Sequence, residues 1–215
     1  ITICYGMTET TPVSAQSSTE DSVERRVSTV GRVHPHLEVK IVDEEGKVVP
    51  RGQLGELCVR GYSVMLGYWD EHDKTQEVID VARWRHTGDI AEMDDEGFVK
   101  IKGRIKDVVI RGGENLFPKE IEDFLYTHDA VCDVQVIGVP DHRYGEELCA
   151  CIILHEHHEC TEEAIRQYCA EHISHNKVPR YVRFFSEFPM TASGKAQKFK
   201  LREFMREELN LKEIA

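Results

Sequence analysis

The sequence predicts a chain of mixed α/β and α+β class in two parts: a β-rich stretch over residues 1–105 and a smaller α+β module over residues 106–215. Two observations carry this expectation. Up to Gly103 the apolar residues alternate with polar ones between acidic, glycine-ended turns, and beyond it short alternating runs interleave with segments of helical period. At 215 residues the chain is long enough for one large domain or two small ones, each with its own core. The boundary is placed at Ile105–Asp107.

Leu37 to Val42 alternates as a strand and ends in the turn Asp43-Glu44-Glu45-Gly46. Gly55 to Gly61 is a second strand bounded by glycines. Asp70 to Val81 is polar and of helical character, with Asp70 expected as its N-cap. Ile90 to Met93 and Phe98 to Lys102 flank Asp94-Asp95-Glu96-Gly97, a hairpin signal. In the second part, Val108 to Ile110 is a short strand, and Pro118 to Tyr126 a helix with proline at its start. Val131 to Val139 and Glu147 to Leu154 are strands. Thr161 caps a helix to Ile173, Tyr181 to Phe185 is a strand, and Phe199 to Leu209 a closing helix.

The formal net charge is −12, which argues against a nucleic-acid binder, whose footprint is a basic excess. Cations are nevertheless gathered locally around Lys102, Arg104, Lys106 and Arg111, and along Lys195, Lys198, Lys200 and Arg202. The seven cysteines include no Cys-x-x-Cys, and the plain expectation is reduced, mostly buried thiols. No stretch reaches the length of a transmembrane helix. The first residue is Ile1 and no targeting pattern follows it, so a transit segment is expected only upstream.

Four separated segments carry the chemistry: Tyr5-Gly6-Met7-Thr8-Glu9-Thr10, Trp84-Arg85-His86-Thr87-Gly88-Asp89, Gly103-Arg104-Ile105-Lys106-Asp107 and Pro189-Met190-Thr191-Ala192-Ser193-Gly194-Lys195. Each alone is a weak word. In this order and at these spacings, with Gly55 to Trp69 and Arg111-Gly112-Gly113-Glu114-Asn115 between them, the chain resembles the acyl-adenylate-forming superfamily of acyl-CoA synthetases, luciferases and peptide-synthetase adenylation domains. The resemblance implies the β-rich end of that family's large amino-terminal domain followed by its small mobile carboxyl-terminal α+β domain. Arg60 to Trp69 and Ser193 to Glu203 are most similar to medium-chain fatty acyl-CoA synthetases of mitochondria, which implies a mitochondrial matrix location, with the cytoplasm as the alternative.

The family's reaction has two steps: a carboxylate attacks the α-phosphate of ATP, and the thiol of CoA then displaces AMP. On this resemblance Tyr5 stacks on adenine, Thr8 offers its hydroxyl to the α-phosphate, and Glu9 is a hard oxygen ligand for Mg2+. Asp89 accepts from the ribose hydroxyls and Arg104 donates to them through a planar, permanently charged fork. Lys195 places positive charge where negative charge develops during attack on phosphorus. Lys106 stands at the hinge position, where many relatives carry aspartate. Gly112, Gly113 and Glu114 line the pantetheine path of CoA, where glycine lets backbone approach a narrow arm. Each residue also has a plainer reading: a turn for Tyr5 to Thr10 and for the glycine pair, a surface ion pair for Arg104, a solvated side chain for Lys195. His155-Glu156-His157-His158 is set aside as a polar loop without ligand spacing, and His172 and His175 as helix-end residues.

A glycine- and serine-rich phosphate loop, which the family carries well before the tyrosine motif, has no counterpart here. The expectation is therefore part of an enzyme that activates a fatty acid, of medium chain length, with ATP, Mg2+ and CoA. The phosphate loop and acyl pocket would lie in a missing amino-terminal half, leaving this portion inactive by itself. An aryl- or other acid-CoA ligase is the nearest alternative, since no residue here reads the acid. A non-catalytic interaction module is the rival from another class. The complete set Thr8, Glu9, Asp89, Arg104 and Lys195 weighs against it.

Overall fold

The computed structural model describes residues 1–192 and 194–211 and divides into two compact units, Ile1–Lys106 and Asp107–Ala215. In the first unit, β1 (Cys4–Tyr5), β2 (Ala15–Gln16) and β3 (Arg32–Val33) form a small antiparallel sheet in that order. The helix α1 (Val23–Ser28) is capped by Ser22, whose hydroxyl accepts from the Arg25 N–H. Then β4 (Leu37–Val42), β5 (Gly55–Gly61), β6 (Arg85–Met93) and β7 (Val99–Arg104) make a four-stranded antiparallel meander. Ile41, Leu57, Ala91, Met93 and Val99 form its core.

Two expected elements are corrected here. The helix α2 runs only over His72–Val78, and its N-cap is Glu71, without a side-chain bond. Asp70 has φ +54°, whereas an N-cap residue keeps an extended backbone, so it serves as a turn residue instead. At the other end Ile79 leaves the helix to bridge Arg85 and bury its side chain. The strand expected from Ile90 begins at Arg85, because its inward positions Arg85, Thr87 and Asp89 are polar yet buried.

In the second unit β8 (Val109–Arg111) and β9 (Glu114–Leu116) form a hairpin, one residue later than the strand expected at Val108. The helix α3 (Pro118–Leu125) opens on its proline, where a missing N–H costs nothing. The strands β10 (Val131–Asp141) and β11 (Gly145–Leu154) are a long antiparallel pair. The helix α4 (Glu162–His172) is capped by the Thr161 hydroxyl, which accepts from the Ala164 N–H at 3.1 Å. Then β12 (Tyr181–Phe184) runs parallel to β11, and α5 (Lys198–Glu208) closes the unit. Strand order is β10-β11-β8-β9 with β12 also on β11. The helices α3 and α4 pack on one core cluster with Leu125, Val134, Ile152 and Ile165, and α5 on another with Ile137, Cys149, Leu201 and Met205. All seven cysteines are free, and Cys58, Cys149, Cys151 and Cys169 are buried. Among the described residues no helix is long and apolar enough to cross a membrane.

Candidate active site

In the first unit the fold gathers polar side chains from three segments. The strand β6 presents Arg85, Thr87, Asp89, Ala91 and Met93 inward, so Asp89 is only 5 % exposed although it is ionisable. Such a group requires partners, and it has two. The Tyr5 hydroxyl donates to Asp89 Oδ2 at 2.5 Å, and Arg104 Nε donates to Asp89 Oδ1 at 3.1 Å. Asp89 and Arg104 are direct cross-strand partners of β6 and β7, which sets their pairing by register. Burial first, and then the neighbouring Asp89 carboxylate, push the Tyr5 hydroxyl well above the ordinary tyrosine range, so it remains a donor.

The turn after β1 carries Glu9. Gly6 makes this turn possible: a Cβ there would stand 1.7 Å from the Pro12 carbonyl oxygen. Thr8, Glu9 and Thr10 then form one turn of 3-10 helix, closed when the Met7 N–H donates to the Thr10 hydroxyl. Thr10 is buried and Thr8 is exposed. Tyr68 donates its hydroxyl to Glu9 Oε1 at 2.8 Å, and Arg85 Nη2 lies 4.0 Å from the same oxygen. Burial pushes the Glu9 carboxyl up, but the Tyr68 hydrogen bond, its own N–H and the charges of Arg85 and Arg104 outweigh that and hold it below its ordinary value. Arg85 is buried, and its Nε has no hydrogen-bond partner among the described residues.

Thr87 is a positioning residue that the motif reading did not assign. Its hydroxyl donates to the Leu57 carbonyl at 2.6 Å and accepts from the Asp89 N–H at 3.1 Å, which locks the left-handed Gly88 turn (φ +73°) ahead of Asp89. Tyr68 and Arg85 are further contributors that sequence alone did not single out. Both lie inside segments already flagged, but only the folded register shows that they meet Glu9.

The remaining residues belong to the hinge segment and the second unit. Lys106 is the middle residue of a one-turn helix, Ile105–Asp107, and is exposed. Gly112 and Gly113 have φ +60° and +86° and form the two-residue turn between β8 and β9, a geometry that only glycine-like residues adopt freely. The Gly112 N–H donates to the Tyr144 carbonyl, and Glu114 Oε2 accepts from Asn176 Nδ2 at 2.7 Å. Hairpin geometry is therefore enough to require the glycines.

Lys195 is exposed at the end of a tight turn. The Thr191 N–H donates to the Lys195 carbonyl at 2.8 Å, and the Lys195 N–H donates to the Thr191 hydroxyl at 3.0 Å. Gly194, at φ +76°, supplies the left-handed residue. Ser193, the other small residue of the expected loop, lies outside the described residues.

Comparison with known proteins bears on both units. Residues 1–69 match the family model "AMP-binding enzyme" and residues 120–195 match "AMP-binding enzyme C-terminal domain". Over 98% of its length the chain is 54% identical to the medium-chain acyl-CoA ligase ACSF2, mitochondrial, of Bos taurus. The chain belongs to the AMP-binding superfamily. It spans about a third of the length of such relatives, 34% of the Bos taurus ligase. It is also 52% identical to the putative acyl-CoA synthetase YngI of Bacillus subtilis, of which it covers 39%. The fold agrees with the crystal structure of ATP-bound MatB from Rhodopseudomonas palustris, with a TM-score of 0.89 and 33% identity over 97% of this chain and 41% of that one. In the AMP-binding superfamily, then, this chain supplies the end of the large domain followed by the small carboxyl-terminal domain.

Proposed function

We propose that this chain takes part in the ATP-dependent activation of a fatty acid of medium chain length, first to acyl-AMP and then to acyl-CoA, together with the further length of polypeptide its relatives possess. The observation that carries the reading is the arrangement around Asp89: a buried carboxylate held by Tyr5 and Arg104, beside a Glu9 carboxylate held ionised by Tyr68 and Arg85.

The residues fit the groups that the reaction needs. Each carboxylate oxygen has two acceptor sites, so Asp89 can take ribose hydroxyls while keeping Tyr5 and Arg104. Arg104 is half exposed, with further guanidinium N–H groups to offer to the same sugar. Glu9, ionised and half-buried, suits Mg2+, a hard cation that accepts one or two carboxylates and keeps its waters. Arg85 adds a fixed positive charge beside it, and its unpartnered Nε is a donor for an anionic oxygen. When bound, ATP supplies the electrophilic α-phosphate and CoA the thiol that takes the acyl group. Tyr5, held by its hydroxyl and packed against the sheet core, is assigned to adenine stacking, and Thr8 is exposed for phosphate contact.

Lys195 is assigned the transition-state role in adenylation, carried on a turn whose backbone is fixed by Thr191 while the side chain is free to extend. Gly112, Gly113 and Glu114 are assigned to the pantetheine path, and Lys106 to a hinge between the two half-reactions. The location assigned is the mitochondrial matrix, with the cytoplasm as the alternative; relatives named mitochondrial support the organelle.

The test is carboxylate-dependent ATP–pyrophosphate exchange with a panel of fatty and aromatic acids, on this chain and on the longest natural chain that contains it. Exchange with medium-chain acids in the longer chain is expected, and Lys195→Ala should lower it by about a hundredfold or more. Thioester formation from supplied acyl-AMP should survive that substitution. Exchange only with aromatic acids would replace the fatty acid by an aryl acid, and no exchange with any acid would overturn the enzymatic reading.

A further inference from the structure

On the face of the first unit's sheet formed by β5 and β6, three side chains of different chemistry converge outside the residues assigned above. Cys58 and His86 are direct cross-strand partners, and a bulge between Glu56 and Cys58 brings the Glu56 carboxylate to the same place. One ligand atom from each of Glu56, Cys58 and His86 lies within 4.8 Å of the others. Cys58 Sγ is 3.5 Å from His86 Nδ1, and Glu56 Oε2 is 2.7 Å from that nitrogen. We propose that Glu56, Cys58 and His86 form a binding site for one divalent transition-metal ion, zinc in preference to magnesium or calcium.

An imidazole nitrogen has either one lone pair or one N–H to offer, so it serves a single hydrogen bond. Here a thiol and a carboxylate both approach Nδ1. A glutamate–histidine hydrogen bond accounts for the carboxylate, and the thiol has only a long contact of 4.0 Å to the Glu56 carbonyl, whereas a shared ion would engage all three side chains. Tetrahedral zinc has bonds of about 2.3 Å to sulfur and about 2.0–2.1 Å to imidazole, which separates those two ligand atoms by about 3.5 Å. That is the separation present. The carboxylate oxygen and Nδ1 would have to part from 2.7 Å to about 3.4 Å, a movement within reach of one glutamate side chain.

The surroundings orient these ligands. Glu56 Oε1 accepts from the Gly88 N–H at 2.9 Å, which turns Oε2 towards the ring. On the far side of the imidazole, Asp80 Oδ2 lies 3.9 Å from Nε2, and Asp80 is itself fixed by accepting the Trp84 N–H on Oδ1 at 2.8 Å. A carboxylate behind a metal-bound imidazole favours the tautomer with its proton on Nε2, freeing Nδ1 to bind. Binding would release the Cys58 thiol proton and move the imidazole proton from Nδ1 to Nε2. One thiolate and one carboxylate would then neutralise the divalent ion. The ligand set of sulfur, nitrogen and one carboxylate favours zinc, since magnesium and calcium take oxygen ligands. Cys58 is buried and His86 is 30 % exposed, so entry is from the histidine side. A bound ion would clamp β5 to β6 just ahead of Thr87 and Asp89.

The experiment uses the whole chain, stripped with chelator and titrated first with Co2+ and then with Zn2+. A thiolate-to-cobalt charge-transfer band, displaced by one equivalent of zinc, is expected. Cys58→Ser should abolish the band, Glu56→Gln should weaken zinc binding by about tenfold or more, and Asp80→Asn should weaken it by about tenfold. The double substitution His155→Ala with His158→Ala, which removes two imidazoles from an exposed loop, should leave the band unchanged. Circular dichroism and thermal unfolding in chelator show whether each variant is folded; Glu56→Gln is nearly isosteric and reads the site if Cys58→Ser does not fold. Absence of a thiolate band, or its persistence in folded Cys58→Ser, overturns the proposal.

Discussion

Replacing Lys198 by methionine tests how the start of α5 is held. Glu122, on α3, is 7% exposed, and its Oε1 accepts from the Val136 N–H at 2.8 Å and from Lys198 Nζ at 2.6 Å. Lys198 also donates to the Val136 carbonyl at 3.2 Å, so a single ammonium ties α5 to both α3 and β10. Methionine keeps the length of the side chain but leaves Glu122 as a buried carboxylate with one remaining bond. Removing one partner of a buried pair costs about 3–5 kcal/mol. Here the two side chains are 17 % and 10 % exposed, so some water reaches them, and the cost should fall nearer ~2–3 kcal/mol. For a unit of this size that lowers the midpoint of thermal unfolding by about 10 °C. Urea unfolding of Lys198→Met, Glu122→Gln and the double variant provides the assay, with a coupling of about 1–3 kcal/mol expected. If Lys198→Met unfolds within about 0.5 kcal/mol of the parent, the pair is a surface contact in energetic terms and the reasoning fails. Lys198 lies close behind Lys195, so the same variant should loosen the turn that presents the candidate catalytic lysine.

Three further outcomes follow from the geometry. Glu9, whose carboxyl is held below its ordinary value of 4.5, contributes stability that is complete above that value and is lost as pH falls through the lowered one; Tyr68→Phe should raise its midpoint, read by carboxyl carbon NMR, and an unchanged midpoint would exclude the tyrosine as a cause. Gly6→Ala drives a methyl group into the Pro12 carbonyl and should cost at least ~3 kcal/mol in urea unfolding, since the obstacle is backbone; a neutral result would mean the turn can rearrange. Thr161→Ala removes the α4 cap and should cost about 1 kcal/mol by the same measurement, with no change refuting the cap's role.

The regular elements were legible wherever apolar and polar residues alternate or repeat with helical period. The strands over Leu37–Val42 and Gly55–Gly61 and the Thr161 cap could be read directly from the chain. The amino-terminal half of β6 could not. Its inward residues Arg85, Thr87 and Asp89 are polar, and a hydrophobicity pattern registers nothing where a sheet faces polar side chains inward. That same stretch contributes Arg85, Thr87 and Asp89 to the candidate site, so the pattern was weak where chemistry is concentrated. Asp70 misled for a different reason: an aspartate before a polar run signals a cap equally with a turn, and its left-handed backbone decided between them. Motif resemblance singled out Tyr5, Glu9, Asp89 and Arg104 without their contacts. Tyr68 and Arg85 needed the fold, as did the Glu56–Cys58–His86 grouping, because a cross-strand neighbourhood depends on a register that no linear spacing encodes.

The pairing of β10 with β11 bears on how the second unit assembles. These strands are joined by a short turn over residues 142–144 and remain in register from Asp141–Gly145 to Asp133–Ile153. Closing so short a loop costs little chain entropy, so this ribbon is expected to form early. The strand β12 can join β11 only after the chain has travelled through α4, because parallel neighbours require a crossover. Substitutions of Val136 or Ala150 should then slow refolding, while those of Val182 should mainly hasten unfolding. The segment bearing Lys195 and α5 follows β12 in the chain and would be placed last, on a sheet already built.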